Sequence, residues 1–414
     1  MSHDKSYPSD RSNRRTFLKT LGAGGIALTA GLAGCTGGSG EGTTLQFGIM
    51  NPMEGPYSGL GSNQREGYEL GIQKINESDE FDFTIDATFE NTKSEVSTAR
   101  QKAQKLVQQD DKDYLSGCVS SAASLAINSF AQEQEILWVP GGGAIQITGS
   151  GCNEWSFRAE THSGQIARAF GPWIPKNIGT QGWIHYADYS YGKDINTSFT
   201  EQMQASDASV NIVGRSTSQL GATNFSSYIS QIENSEAEFV VLGLAGGDLI
   251  TFVKQAVDAG LKETVTITSP TMCMQAIRNA LGEAANGTYG GVRYDPKIDT
   301  PANQDFVERY QEEYDGNPDA FARAGFDAIW MTAQGIQEAD DTGPATVKDS
   351  LPGQEVSSVF GSNTYRECNN QATNPVWVGR NVPSDQGGSS SVELLSQKSG
   401  QEAVAPCSEV NCSL

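Results

Sequence analysis

The sequence predicts an α/β protein of two successive lobes with parallel sheets, on three observations. Short apolar runs alternate with longer amphipathic ones, the same alternation restarts after Arg158, and the chain exceeds what one core holds. Strands that alternate with helices pair in parallel through right-handed crossovers. Single cores stop growing at about 250 to 300 residues, so a chain of 414 residues divides by default.

The elements follow from period and punctuation. In the first half, strands are predicted over Leu45 to Met50, Phe83 to Phe89, Tyr114 to Val119 and Ile136 to Val139, and helices over Gly67 to Ile75, Val96 to Gln108 and Ala122 to Gln132. In the second half, the helices are Gly164 to Ile174, Ile195 to Gln204, Phe225 to Ile232 and Leu249 to Ala259. They alternate with strands over Gly182 to Tyr186, Val210 to Val213, Phe239 to Leu244 and Val265 to Ile267. Ser120-Ser121 precedes apolar positions at helical spacing and reads as a cap, and Gly260 closes the helix before it. The run Asp385 to Ser391 is a low-complexity break, so residues 384–414 read as a peripheral tail.

The N-terminus carries an address. Arg14 and Arg15 with Phe17-Leu18 precede a short apolar stretch, Leu21 to Ala33, which is a twin-arginine export pattern. That stretch is shorter than the roughly 20 residues a membrane-spanning helix needs. It ends in Leu32-Ala33-Gly34-Cys35, which reads as a lipoprotein cleavage box with Cys35 as the lipid-bearing mature N-terminus. Residues 1–34 are then the signal and 35–43 a Gly-rich flexible tether. The expected location is the extracellular face of the membrane.

The chain holds 50 acidic against 28 basic residues, a net charge of -22, which excludes nucleic acid as a partner because no basic patch could neutralise phosphates. An acidic surface also suits high salt, so a halophilic archaeal source is expected. With Cys35 lipidated, six cysteines remain. Cys152, Cys368, Cys407 and Cys412 lie in polar segments suited to bridging, whereas Cys118 sits in an apolar strand-like context. No Cys-x-x-Cys pair points to a metal site, and no cofactor is expected.

Ligands of open α/β sheets bind beyond the carboxyl ends of the strands. Three turns there are rich in small residues: Asn51 to Tyr57, Ser120 to Ala122, and Gly141 to Ala144. Such turns need Gly, Pro and Ser on conformational grounds alone. Three in one lobe point to a shared binding edge.

Several stretches, none specific alone, recur in order from Leu45 to about Gly379: Pro52 to Pro56 with Ile75-Asn76, Gly117 to Ser121, Pro140 to Gly143, Phe157-Arg158, Asp188 to Gly192, Thr223 to Ser226, Ala259 to Leu261, and Gly325 to Ala328. Together they resemble the branched-chain amino acid-binding proteins, the type 1 periplasmic-binding family of ABC importers. The resemblance implies two Rossmann-like lobes joined by a three-crossing hinge, with residues 44–160 plus 290–353 in lobe one and 161–289 plus 354–383 in lobe two. It implies a ligand held by Ser120, Ser121, Gly142, Gly143, Tyr57 and Tyr191, and a membrane permease as partner. The positions of the family's cleft tyrosine and of its ammonium-binding acid fall at Ala245 and Thr271. An α-ammonium without a charge partner is costly in a closed cleft, so a short amide or urea-like solute rivals a small amino acid.

An enzyme would need a nucleophile with a base, a carboxylate pair with a distinctive setting, or a phosphate loop. No G-x-S-x-G or Walker pattern occurs, and His162 and His185 lie in separate segments. A binding protein is therefore expected over an enzyme. A ligand-sensing receptor ectodomain, which would add a membrane span and a signalling segment after the sensor, is the less expected alternative.

Overall fold

The computed structural model describes residues 43–384 and 390–414. Arg14, Arg15, Cys35 and the tether before Thr43 lie outside the described residues. The first sheet is built from β1 (Thr43–Asn51), β2 (Phe83–Asn91), β3 (Tyr114–Gly117) and β4 (Leu137–Pro140), ordered β2-β1-β3-β4 and parallel throughout. Its crossovers are α1 (Ser58–Glu77), α2 (Val96–Gln108) and α3 (Ser121–Gln134). The α2 bounds are those predicted, and Ser120 caps α3, its hydroxyl accepting from Ala123 N at 3.4 Å.

The second sheet has seven strands, ordered β13-β12-β9-β8-β7-β5-β6. Along the chain come α4 (Ser163–Phe170), α5 (Ile174–Asn177), β5 (Gln181–Ala187), α6 (Ser190–Ser206), β6 (Asn211–Ser218), α7 (Ser226–Glu233) and β7 (Phe239–Gly243). Then follow α8 (Gly246–Asp258), β8 (Thr266–Ser269), α9 (Gln275–Leu281) and β9 (Tyr289–Val292). The predicted helix from Gly164 to Ile174 is divided, because Pro172 and Pro175 cannot donate to the helical ladder and a 3-10 turn over Gly171–Trp173 separates α4 from α5.

After β9 the chain returns to the first sheet through α10 (Pro301–Glu313), α11 (Ala320–Ala339) and α12 (Pro344–Ser350). Helix α11 lies against α1 at backbone contact: a Cβ on Gly67 would stand 1.8 Å from Ala322 O, and one on Gly325 would stand 2.2 Å from Gln64 O. Only glycine permits that approach.

Three expectations are corrected. Residues 290–292, at the edge of the segment assigned to lobe one, belong to β9 in the second sheet. The hairpin of β10 (Glu355–Ser358) and β11 (Gly361–Thr364), expected in lobe two, is fixed to α11 through Trp330 Nε1 to Ser357 Oγ at 2.9 Å and Val359 N to Asp327 Oδ1 at 3.0 Å. The tail is not merely peripheral. Ser390–Lys398 forms β13, antiparallel to β12 (Val376–Pro383), and α13 (Gly400–Ala403) follows. Polar strands can still close an edge, because backbone groups rather than side chains form the ladder. The tail is also stapled, by Cys152–Cys412 and Cys368–Cys407, while Cys118 and Cys273 are buried free thiols.

Three segments connect the two sheets, and they pack side by side through polar groups. Arg158 N donates to Asn370 O and Ala372 N to Arg158 O, both at 2.9 Å. Gln371 Nε2 donates to Glu160 O at 2.9 Å, Asn374 Nδ2 to Ala159 O at 2.7 Å, and Arg293 Nη1 to Thr161 O at 3.5 Å. Among the described residues no helix is long and apolar enough to cross a membrane.

Candidate ligand-binding cleft

A narrow cavity of about 20 Å³ lies where the carboxyl ends of both sheets meet. Three turns of the first sheet and four of the second send residues to it. From the first sheet come Tyr57 and Leu60 after β1, Val119 and Ser121 after β3, and Gly143 after β4. From the second come Tyr189 and Tyr191 after β5, Ala245 after β7, Thr271 after β8 and Arg293 after β9, with Phe321 added from the start of α11. This is the position at which open parallel sheets hold ligands.

Six of the eight residues expected at the site line the cavity: Tyr57, Ser121, Gly143, Tyr191, Ala245 and Thr271. Ser120 and Gly142 do not. The Ser120 hydroxyl is occupied as the cap of α3. A Cβ on Gly142 would point into Ser124 Oγ at 2.6 Å and Ile147 at 2.7 Å, away from the cavity. Gly143 faces the Tyr191 ring across the cleft, where a Cβ would stand 3.2 Å from it, so the absence of a side chain sets the closeness of the two walls.

Ser121 Oγ accepts from Ala144 N at 3.1 Å, which leaves its proton free to point into the cavity. Thr271 Oγ1 donates to Leu244 O at 3.3 Å. Tyr57 Oη, Tyr191 Oη and Arg293 Nε are buried without an acceptor of good geometry; Tyr57 has only Tyr189, and Tyr191 only the Arg293 guanidinium, as a polar neighbour within reach. Burial pushes the hydroxyls of Tyr57, Tyr189 and Tyr191 up, that of Tyr191 to about 12, so all three are neutral at neutral pH. The rings form one aromatic wall, with centroids 6.5 Å apart for Tyr57 and Tyr189 and 6.1 Å for Tyr189 and Tyr191.

Arg293 is the one charged residue among those lining the cavity. Its Nη1 is ion-paired to Glu160 Oε1, while Glu160 Oε2 accepts from Arg323 Nη2 at 3.0 Å and Arg323 Nη1 stands 3.6 Å from Asp327 Oδ2. Burial opposes the charge on Arg293, and Glu160 and Tyr191 together more than offset it. Burial raises Asp327 to about 6, against the pull of Arg323.

The acids that could have answered an ammonium are placed elsewhere. Glu54 is exposed, accepting from Asn91 Nδ2 at 2.9 Å and lying 3.7 Å from Lys93. Asp188 pairs with Lys193 at 2.8 Å. Both oxygens of buried Asp248 face Gly221 N, at 3.2 and 2.9 Å.

Sequence reasoning missed Arg293, Tyr189, Leu60, Val119 and Phe321 as lining residues. Tyr189 and Val119 stood within or beside stretches already singled out. Arg293 had no such signal: it follows a four-residue strand containing two glycines, poor in β-forming residues.

A family model described as periplasmic binding protein matches residues 44–387. The chain is 23% identical over 378 residues to Leu/Ile/Val-binding protein homolog 4 of Brucella abortus, covering 87% of this chain and 89% of that protein. It is 21% identical over 330 residues to the leucine-, isoleucine-, valine-, threonine-, and alanine-binding protein of Pseudomonas aeruginosa, covering 78% and 86%. Among solved structures, an R. palustris ABC transporter solute-binding protein in complex with benzoate superposes with a TM-score of 0.79 at 23% identity, over 90% of this chain and 100% of that one. A leucine-binding protein of Thermotoga maritima superposes at 0.77 and 20% identity, over 86% and 99%. Its parallel sheets, three linking segments and strand-end cleft are those of a type 1 periplasmic binding protein, and the chain belongs to the periplasmic binding protein family of solute-binding proteins.

Proposed function

We propose that this chain is the extracellular solute-binding component of an ABC importer, that its lobes close on a small carboxylate solute, and that the closed form is presented to membrane permease subunits. One observation carries this reading: the buried donors Tyr57 Oη, Tyr191 Oη and Arg293 Nε, which find no acceptor of good geometry in the protein, border a cavity walled by both sheets. Buried donors are normally satisfied, so an acceptor supplied by a ligand explains them. Contacts from both walls exist only when the cleft is shut, which couples affinity to closure.

The names of the relatives support a carboxylate. Some are named for leucine, isoleucine and valine, and some neighbours were solved with benzoate or hydroxybenzoates. A carboxylate on an apolar body is common to all of these. A branched-chain amino acid would place its side chain against Leu60, Val119 and Phe321 and its carboxylate near Ser121, Gly143 and Arg293. Thr271, standing where an acid was expected, keeps a short amide or urea-like solute as the second reading.

Export through Arg14 and Arg15 and lipid attachment at Cys35 belong to the same proposal. Two lipid chains on Cys35 with a Gly-rich tether would keep the domain at the outer membrane face while leaving it mobile. The lobe division is proposed as expected, with 290–292 moved to lobe two and 355–364 to lobe one.

A thermal-shift screen of amino acids, short carboxylates, amides and urea in high salt tests the reading, because a ligand that binds only the folded state raises its melting temperature. Small-angle scattering with each hit should show compaction. Turnover of a hit without compaction would sink the binding-protein reading.

A further inference from the structure

We infer that the cleft selects carboxylates that lack an α-ammonium, and that Arg293, held in place by Glu160, is the residue that sets this selectivity. The inference rests on the proposed solute site and names the class of solute within it.

The argument is one of charge. Arg293 is the sole charged lining residue, 2% exposed in its side chain, and its Nε is unpartnered. No acidic side chain lines the cavity, and Glu160, Asp194 and Asp248 behind its wall are turned to groups of the protein. Both Glu160 oxygens are on arginines. Both Asp194 oxygens accept from the loop after β4, one from Ile145 N and one from Gln146 Nε2. Both Asp248 oxygens face Gly221 N.

A carboxylate arriving at this wall meets a cation and neutral hydroxyl donors, whose paired form is short and directional. An α-ammonium on the same molecule would be desolvated beside Arg293 with no carboxylate lining the cavity to pair with it, which disfavours its binding. The remaining wall, Tyr57, Leu60, Val119, Tyr189 and Phe321, suits a branched or flat apolar body.

Glu160 is a positioning residue here, not a ligand contact. It clamps Arg293 from one oxygen and Arg323 of α11 from the other, so the guanidinium is fixed before the solute arrives. Fixing the fork beforehand reduces the ordering cost of binding.

Matched pairs test this by calorimetry on the mature protein in high salt: leucine against 4-methylpentanoate, and phenylalanine against 3-phenylpropanoate, with 4-methylpentanamide as the neutral control. The deaminated acid of each pair should bind at least about a hundredfold tighter than its amino acid. Arg293→Gln should weaken the acids by about a hundredfold and leave the amide within about threefold, while Arg293→Lys should lose about tenfold, keeping the charge but not the fork. Cooperative melting of each variant establishes folding, and the comparison of matched pairs on the unaltered protein needs no variant.

Amino acids binding as tightly as their deaminated partners would overturn the inference and leave the solute-binding reading standing. Equal losses for acid and amide in Arg293→Gln would remove Arg293 as the selector. Failure of every acid, amino acid and amide to bind would overturn both.

Discussion

Two buried arginines of this molecule sit within the same hinge and are treated in opposite ways. Arg158, fully buried, is enclosed by neutral acceptors: its Nε donates to Gln371 Oε1 at 2.6 Å, its Nη1 to Ala144 O at 2.6 Å and Gly142 O at 3.1 Å, and its Nη2 to Thr148 Oγ1. Burial pushes it down to about 9, and it remains charged at neutral pH without a direct ion pair. Arg293 is ion-paired on one side and open on the other, with Nε unclaimed at the cleft. Burial alone therefore does not mark function. The arginine whose three nitrogens each donate to a neutral acceptor builds the hinge, and the arginine whose unclaimed Nε belongs to a cavity-lining side chain faces the solute.

The sharpest way to break that contrast is Arg158→Met. It strips the carbonyls of Gly142 and Ala144 and the side chains of Thr148 and Gln371 of a charged donor, and stability should fall by about 4 kcal/mol in urea melts. Arg293→Gln should cost under about 1 kcal/mol by the same measurement, because Glu160 keeps Arg323 as its partner. Equal losses would mean that both arginines are structural.

Next in size is the bridge Cys368–Cys407, which flanks the segment that carries Gln371 to Arg158. Replacing both cysteines by serine should cost about 3 kcal/mol, and Gln371 and Arg158 should lose hydrogen-exchange protection before the Arg293 side does.

Another buried polar group away from the cleft is His185, packed among Phe225, Tyr228 and Phe252 with Nδ1 at 2.8 Å from Ser216 Oγ. Burial lowers it to about 4, so below its ordinary value near 6.5 the unfolded chain takes up a proton that the folded one refuses. The stability it contributes is present above pH 6.5 and is lost as pH falls toward 4, at about 1.4 kcal/mol per pH unit. Asp194, Asp248 and Asp327, each raised to about 6 by burial, act with the opposite sign in that window. The difference between the protein and His185→Phe isolates the histidine, and parallel pH curves for the two would refute it.

Ser121→Ala has the smallest expected effect. It removes the acceptor of Ala144 N and one donor to the cavity, and should weaken solute binding by roughly tenfold with little change in melting temperature. Unchanged affinity by calorimetry would remove Ser121 from the site.

By itself the sequence determined the alternation of strands and helices, the bounds of α2, the cap at Ser120 and the turns that bring Tyr57, Ser121, Gly143 and Tyr191 to the strand ends. These are local: apolar period, capping side chains and small turn residues act over a few positions. The tertiary structure alone decided the pairing of β13, the seat of the β10–β11 hairpin, the outward turn of Gly142, and the meeting of Arg293 and Arg323 at Glu160, more than a hundred positions away in sequence. Backbone ladders can recruit a polar strand from any distance, and buried charges find partners through space rather than along the chain, so neither leaves a periodic trace that a single sequence displays.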